Sequence, residues 1–540
     1  MKRTLELLLL LSWAATAQPF REDTVGGTVY DWQAYGPSRR WIACDTAYGV
    51  HVTWMHSRDT TFADRNQHYN FLDLRTETWL HRTGGDYLDW GIDVFPTRAG
   101  YGTLDVDLVT HLPFISAHLI DNIPALARGT SPAAQAFELC QGPNAFVYPD
   151  LSLTPNGVAH VSTIDVSTQR EVFYFRVTPW CTWSVPLYFS DTNPQYENHF
   201  LEAAKGDSNL VAVSWIDIDQ LPRRFYYKVS DNSGTSWRPQ AELTPPPAYQ
   251  SAGETLPTFT SYGNSLLWDH EDRLHVTVAV HPVVGGRGLV TPAEIWHYCA
   301  DNAPAWAKIA RAGGDSASLH GSVGNGAVYA DRPSLAVDED GRLFCVWECF
   351  DSLNVEPTTG RLRAGLFAAT SSDNGSTWSE AIRLTQLDST SHRYPSLARL
   401  APGGRLHILY EQDLMAGFFT RHQGPPTPNP IIYLTGTIAS SPSPELPAPT
   451  SRTRVSASPN LFRQGTTVTL ELEPGETGSL RVFDAAGRPV KTLAARVSTA
   501  TPRRLLWDGT DHRGHEVPPG AYFVRLEAGH LSRSLRLLRI

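Results

Sequence analysis

Pro333 to Trp347 reads PSLAVDEDGRLFCVW: an apolar start, an acidic turn closed by Gly341, and an apolar run that ends on an aromatic ring. The turn residues supply the backbone angles of a hairpin, and the alternating flanks let each strand bury one face. The phrase returns closely as PSLARLAPGGRLHILY (Pro395 to Tyr410). Weaker copies are WIACDTAYGVHVTW (Trp41 to Trp54), YPDLSLTPNGVAHVST (Tyr148 to Thr163), LEAAKGDSNLVAVSW (Leu201 to Trp215) and SLLWDHEDRLHVTV (Ser265 to Val278), with a poorer one from Gly102 to Ala117. The copies end at 54, 117, 163, 215, 278, 347 and 410, so one supersecondary unit recurs every 46 to 69 residues.

A second signal is phased to the first. Trp79, Trp183, Trp237, Trp306 and Trp378 each follow a strand and a polar turn behind a phrase end. Two hairpins per unit make a four-stranded antiparallel sheet, and repeated around an axis such sheets form a β-propeller, here of six or seven blades. Units of about 60 residues are short for stacked β-sandwiches of about 100. Composition agrees with an all-β fold: 41 Gly and 39 Pro fit long helices poorly, while 16 Trp, 20 Tyr and 21 Phe exclude a disordered chain.

The turn SSDNGSTW, Ser371 to Trp378, fits Ser-x-Asp-x-Gly-x-Thr-Trp through Ser371, Asp373, Gly375, Thr377 and Trp378. SDNSGTSW is a variant built on Ser230, Asn232, Gly234 and Trp237, and CADNAPAW (Cys299 to Trp306) is a degenerate copy with Ala303 where Gly belongs. This motif resembles the Asp-box of sialidase-like propellers. A short Asp or Asn side chain accepts hydrogen bonds within its own turn, Gly takes a positive φ, and Trp covers the sheet edge, so the expected role is structural. The resemblance also implies an alternative, a sialidase-like exo-glycoside hydrolase, which needs three arginines for a carboxylate, a Tyr nucleophile with a Glu, and an Asp acid/base. The Phe/Tyr-Arg-Ile-Pro segment that carries the first arginine in those enzymes is missing; Arg39 and Arg40 stand instead in PSRRW. Arg332, Arg393, Tyr410 and Glu411 could form a partial site, but Arg332 and Arg393 read as repeat-equivalent residues, as do the Trp347-Glu348 and Tyr410-Glu411 pairs. The expectation is therefore no catalytic residues, and a binding or structural platform.

Metal and cofactor signals are weak. His51, His160, His275 and His407 recur at one position of the phrase, which favours a shared structural place over a metal cluster. Asp338-Glu339-Asp340 puts three carboxylates in one turn, but an acidic hairpin turn is usually solvated, so Ca²⁺ is not supported and no cofactor is expected. Cys44, Cys140, Cys181, Cys299, Cys345 and Cys349 are too sparse for a disulfide scaffold and read mostly as core residues; Cys345 and Cys349, on one strand, cannot bridge each other.

Residues 1–17 read as a secretory signal peptide: Lys2 and Arg3, an apolar run from Leu7 to Ala15, then Ala15-Thr16-Ala17 before Gln18. The run is too short for a transmembrane anchor. Residues 18–439 are assigned to the propeller and the Pro- and Ser-rich stretch 440–453 to a linker. Residues 454–540 carry 13 basic and 8 acidic residues, a charge of +5, which leaves −15 of the net −10 to what precedes them. That balance argues against nucleic acid as a partner. The terminal segment alternates strands with Gly and Pro turns, as a small β-sandwich does. Ser458-Pro459-Asn460, Phe483-Asp484-x-x-Gly487-Arg488, Trp507-Asp508-Gly509 and Gly520-Ala521-Tyr522-Phe523-Val524-Arg525-Leu526 resemble the Ig-like domain first described in the flagellar hook-capping protein, and the related C-terminal sorting domain of type IX secretion cargo. The resemblance implies a bacterial protein that is secreted or held at the outer cell surface, with the secretion machinery or that surface as partner and a glycan or protein ligand at the propeller. Sorting domains of that pathway often end in lysines, where this chain has Arg533, Arg536 and Arg539.

Overall fold

The computed structural model describes residues 20–34, 36–167, 171–189, 196–206, 209–218, 221–246, 256–313, 319–438, 454–458, 461–472, 477–484, 487–498, 503–528 and 531–539. The signal-peptide and linker assignments, and Pro459-Asn460, lie outside them. The chain divides into two compact units, residues 1–439 and 440–540. Among the described residues there is no α-helix, and no helix long and apolar enough to cross a membrane.

The first unit is a seven-bladed β-propeller, one blade for each copy of the phrase. In each copy the turn joins the first and second strands of a blade: Ala330–Val337 and Leu343–Val355 in blade 6, Ser391–Leu397 and Arg405–Asp413 in blade 7. The seven first strands contact one another in chain order and the last touches the first, closing a ring about the axis. Blade 7 is completed from the other end of the unit, where Arg21–Thr28 pairs antiparallel with Asn429–Thr437 as its outermost strand. All first strands begin at one face, here called upper, together with the loops between second and third strands. The turns within the phrases, and those between third and fourth strands, lie at the lower face.

Apolar faces of neighbouring blades meet in separate clusters around the ring, where Trp54, Trp215 and Trp347 from the phrase ends are fully buried. The recurrent histidines hold blades 1, 3, 5 and 7 internally. His51 Nδ1 lies 2.9 Å from the Tyr69 hydroxyl, and His160 and His407 lie 2.6 Å from those of Tyr174 and Tyr433, while His275 bonds His297 at 2.9 Å. Burial pushes His51 and His160 down to about 3, so their rings are neutral at physiological pH.

At the lower face the turn Ser371 to Trp378 is held by its own side chains. Asp373 accepts from the Thr377 N–H (2.9 Å), the Thr377 hydroxyl (2.6 Å) and Ser371 (2.8 Å), and the Ser371 Oγ accepts from Gly375 N–H. Burial raises the Asp373 carboxyl, but these donors more than reverse the effect. Ser230, Asn232 and Gly234 repeat the pattern in blade 4. Trp378 is half-buried rather than sealed in the core.

Four cysteines, Cys44, Cys299, Cys345 and Cys349, are buried thiols, but Cys140 and Cys181 form a disulfide between blades 2 and 3, which their separation of 41 residues did not announce. Of the Asp338-Glu339-Asp340 carboxylates, the first two are engaged by protein donors and Asp340 is exposed. Asp338 accepts from the Arg342 backbone and guanidinium, and Glu339 from Gly403 N–H. No group of three His, Cys, Asp or Glu side chains among the described residues could hold a metal ion.

The second unit packs a three-stranded sheet (Arg454–Ser458, Thr466–Glu471, Arg503–Trp507) and a five-stranded one around Trp507, which is fully buried against Phe462 and Tyr522. The Trp507-Asp508-Gly509 piece is the corner of this core. The indole donates to Thr510 O at 3.0 Å, Asp508 accepts from Thr510 N–H, and Gly509 takes φ +70°.

Candidate functional site at the upper face

The axis is packed with charge. Glu202 of blade 4 accepts from Arg40 at 2.9 Å and is paired with Arg399, which also reaches Asp105 of blade 2 at 3.1 Å; Lys205 closes the chain on Asp105 at 2.7 Å. Burial raises the Asp105 carboxyl, yet Arg399 and Lys205 hold it well below the usual carboxylate range, while burial lowers Lys205 to about 8. Every member satisfies another, which makes this a brace across the channel rather than a ligand site.

The residues named as a partial sialidase site separate. Arg332 and Arg393 converge on one carboxylate, Glu348, with Arg332 Nη1 2.7 Å and Arg393 Nε 3.1 Å from it. They are not repeat-equivalent. Asp331 pairs across strands with Glu348 in blade 6, and Arg393 with Glu411 in blade 7, so Arg332 corresponds to Tyr394, one residue on. Tyr410 and Glu411 are consecutive in a strand and point to opposite faces. The Tyr410 ring is buried between blades 6 and 7, its hydroxyl donating to Glu22 at 3.1 Å, while Glu411 accepts from Asn429 at 2.7 Å. Both arginines are thus neutralised in place and the tyrosine faces away from them.

A different set meets at the upper mouth of blades 1 to 3. The first strands bulge where they begin, and several bulges place a large residue in left-handed backbone: Tyr101 (φ 55°), Tyr148 (54°), Asn198 (73°), Arg332 (53°) and Tyr394 (57°). Such conformations cost of order 1–3 kcal/mol each and persist where the surroundings impose them. Of these, Tyr101 and Tyr148 keep an exposed edge. Their rings enclose His118, which stacks on Tyr101 (centroids 5.5 Å, 14°) and meets Tyr148 edge-on at 5.1 Å.

Three guanidiniums surround this imidazole. Arg65 lies 5.2 Å from the ring centres of both Tyr30 and Tyr101, Arg98 is tied to Phe62 O at 3.0 Å, and Arg39 donates to Tyr148 O at 2.8 Å. Burial, then the charges of Arg65, Arg98 and Arg39, push His118 down to about 3. Its Nδ1 accepts from the Tyr148 N–H at 3.2 Å, which leaves the proton on Nε2. Burial likewise drives the Tyr101 phenol well above its usual value. Both groups therefore stay neutral at pH 7, a state suited to hydrogen bonding rather than to accepting or releasing a proton. Among the described residues, none of the three arginines has a carboxylate within ion-pair distance.

Residues 457–531 match the FlgD Ig-like domain family. No curated protein matches the chain in sequence. Solved structures similar to it include a PL25 ulvan lyase, at 12% identity and TM-score 0.49 over 73% of this chain and 94% of that one. A second is the BP39L lectin from Burkholderia pseudomallei, at 11% identity and TM-score 0.42 over 69% and 93%. A third is an alpha-L-arabinanase from Penicillium chrysogenum, at 11% and 0.37 over 63% and 94%. Identities of this size concern the fold and carry nothing about the chemistry of the upper mouth.

Sequence reasoning passed over Arg65, Arg98, Tyr101 and His118, which lie in loops and strand ends with no local motif. One signal was present: in Tyr148-Pro149, Arg332-Pro333 and Tyr394-Pro395 the residue before the phrase proline is large, and these are the positive-φ positions.

Proposed function

We propose that the chain is an exported glycan-binding protein whose upper propeller face holds an anionic saccharide group, a carboxylate or a sulfate ester, and whose Ig-like module serves sorting or attachment at the outer surface of a bacterium. One observation carries the binding reading: Arg39, Arg65 and Arg98 converge on one neutral histidine with no carboxylate in ion-pair contact, Asp150 acting on Arg39 only from further off, in a segment whose net charge is −15. Arginine forks suit carboxylate and sulfate oxygens, and the exposed edges of Tyr101 and Tyr148 suit the C–H face of a sugar ring. Arg98, Tyr101 and Tyr148 make the contact; Arg39 and Arg65 act from beneath it, since the space between Gln33, Arg39 and Tyr101 is only about 10 Å³.

Affinity electrophoresis in gels containing alginate, chondroitin sulfate or a neutral β-glucan tests this. Retardation by an anionic polymer that weakens with salt and is lost in Arg98→Ala supports the reading; equal retardation by the neutral glucan, or an Arg98→Ala variant that migrates as wild type, removes it. N-terminal sequencing of exported protein tests the export half, with a start near Gln18 expected.

A further inference from the structure

The histidine that holds blades 1, 3, 5 and 7 internally is replaced by a phenylalanine in blades 2 and 6, Phe114 and Phe344, and by a small residue in blade 4. That small residue is Ala212, which pairs with Val229 as His160 pairs with Arg176, so Tyr227 occupies the place of Tyr174. Lacking an imidazole in its own blade, the Tyr227 hydroxyl interacts instead with Tyr298 of blade 5. A second departure faces the first. In the complete turns the glycine lies flat against the preceding blade: a Cβ on Gly234 would sit 1.7 Å from the Tyr174 hydroxyl, and one on Gly375 2.1 Å from His297. Blade 5 has Ala303-Pro304 in that position, and Tyr227 lines an open groove there.

Between the two departures a groove of about 310 Å³ opens at the lower face, a size in the range of small-ligand sites. Its floor is Tyr227, Tyr298, Val229, Leu274 and the edge of Trp268. Its rim mixes signs: Asp272 and Asp301 stand beside Arg238, paired with Asp231 at 3.3 Å, and Arg273, held by Asp269 at 2.7 Å and Glu271 at 2.6 Å.

We infer that this groove is a binding site for one neutral pyranose residue. Flat, half-exposed aromatic side chains match the axial C–H face of a sugar ring. A rim of both signs matches hydroxyl groups, each a donor and an acceptor, whereas an anionic ligand would face Asp272 and Asp301 while both arginines are held by protein carboxylates. The site does not rest on the reading of the upper face: it uses other residues, at the opposite face, and a ligand of different charge.

Saturation-transfer NMR with the methyl glycosides of glucose, galactose, mannose, xylose and fucose provides the test. At least one should bind, with affinity reduced about tenfold or more in Tyr298→Ala and abolished in Val229→Trp, which fills the groove, while Arg65→Ala leaves it unchanged. Hydrogen exchange on the wild-type chain, slowed by that glycoside over residues 227–229 and 298–301, gives a readout independent of any variant. The inference is overturned if no glycoside in the panel binds, if binding survives Val229→Trp, if exchange at those residues is unaltered, or if methyl glucuronide binds there more tightly than methyl glucoside.

Discussion

His297 donates through Nδ1 to the carbonyl oxygen of Gly375 at 3.0 Å, a bond that joins the third strand of blade 5 to the lower-face turn of blade 6. Contacts of this kind, more than the hydrogen bonds inside each blade, decide how well neighbouring blades stay in register.

The first prediction follows from that bond. Gly375 has φ +77° and no room for a Cβ, whereas Gly341 has φ +80° with open space around it. Gly341→Ala should cost about 1–2 kcal/mol through backbone strain alone, and Gly375→Ala clearly more because the imidazole must move as well. Denaturant midpoints of the two variants check the order.

Glu348 is the shared acceptor of Arg332 and Arg393, and all three are buried. Glu348→Gln leaves two guanidiniums without their counter-charge and should destabilise the propeller by about 3–5 kcal/mol. A thermal midpoint within error of wild type would show that the triad is dispensable.

The opposite sign holds for Glu411. Burial, then Asp31 and Asp413, push its carboxyl well above the usual range, against the Asn429 donor and the Arg393 charge. A folded-state value above the unfolded one of about 4.3 means that the native state holds the proton more tightly, so stability falls as pH rises from the unfolded towards the folded value. Wild type should therefore be more stable at pH 5 than at pH 8, and Glu411→Gln should reduce that difference. An unchanged slope would assign it to Asp31 and Asp413, which burial shifts in the same direction.

Tyr410→Phe removes one hydroxyl bond to Glu22 and should cost about 1 kcal/mol, leaving retardation by anionic glycans unchanged. Release of sialic acid from a model sialoside by wild type, lost in Tyr410→Phe with the fold intact, would restore the glycosidase reading.

The propeller was legible because its grammar is local: a hairpin phrase and a following Trp occupy one blade, and alternation writes the buried face directly into sequence. The phrase from Gly102 to Ala117 was poor because the first strand of blade 2 is only Leu104–Val106. The axial brace was not legible, since Arg399 finds Asp105 and Glu202 only through ring closure. The Arg332 and Arg393 comparison misled through a single residue: aligning both copies on Pro333 and Pro395 would have put Arg332 beside Tyr394. His118 is uninformative in sequence because what perturbs it comes from blades 1 and 2 and the segment before them.

Because Arg21 is matched with Thr435 in blade 7, the ring has a seam that closes last. Six blades can form from contiguous chain as it emerges, but the seventh waits for a strand that was made first and must stay unpaired meanwhile. Until then an apolar strand edge and the flank of blade 1 are exposed, and loop-closure entropy over nearly the whole unit opposes the final step. Any pause between the making of the two ends therefore leaves the leading strand with nothing to dock on, and the circle stays open until Asn429–Thr437 is in place.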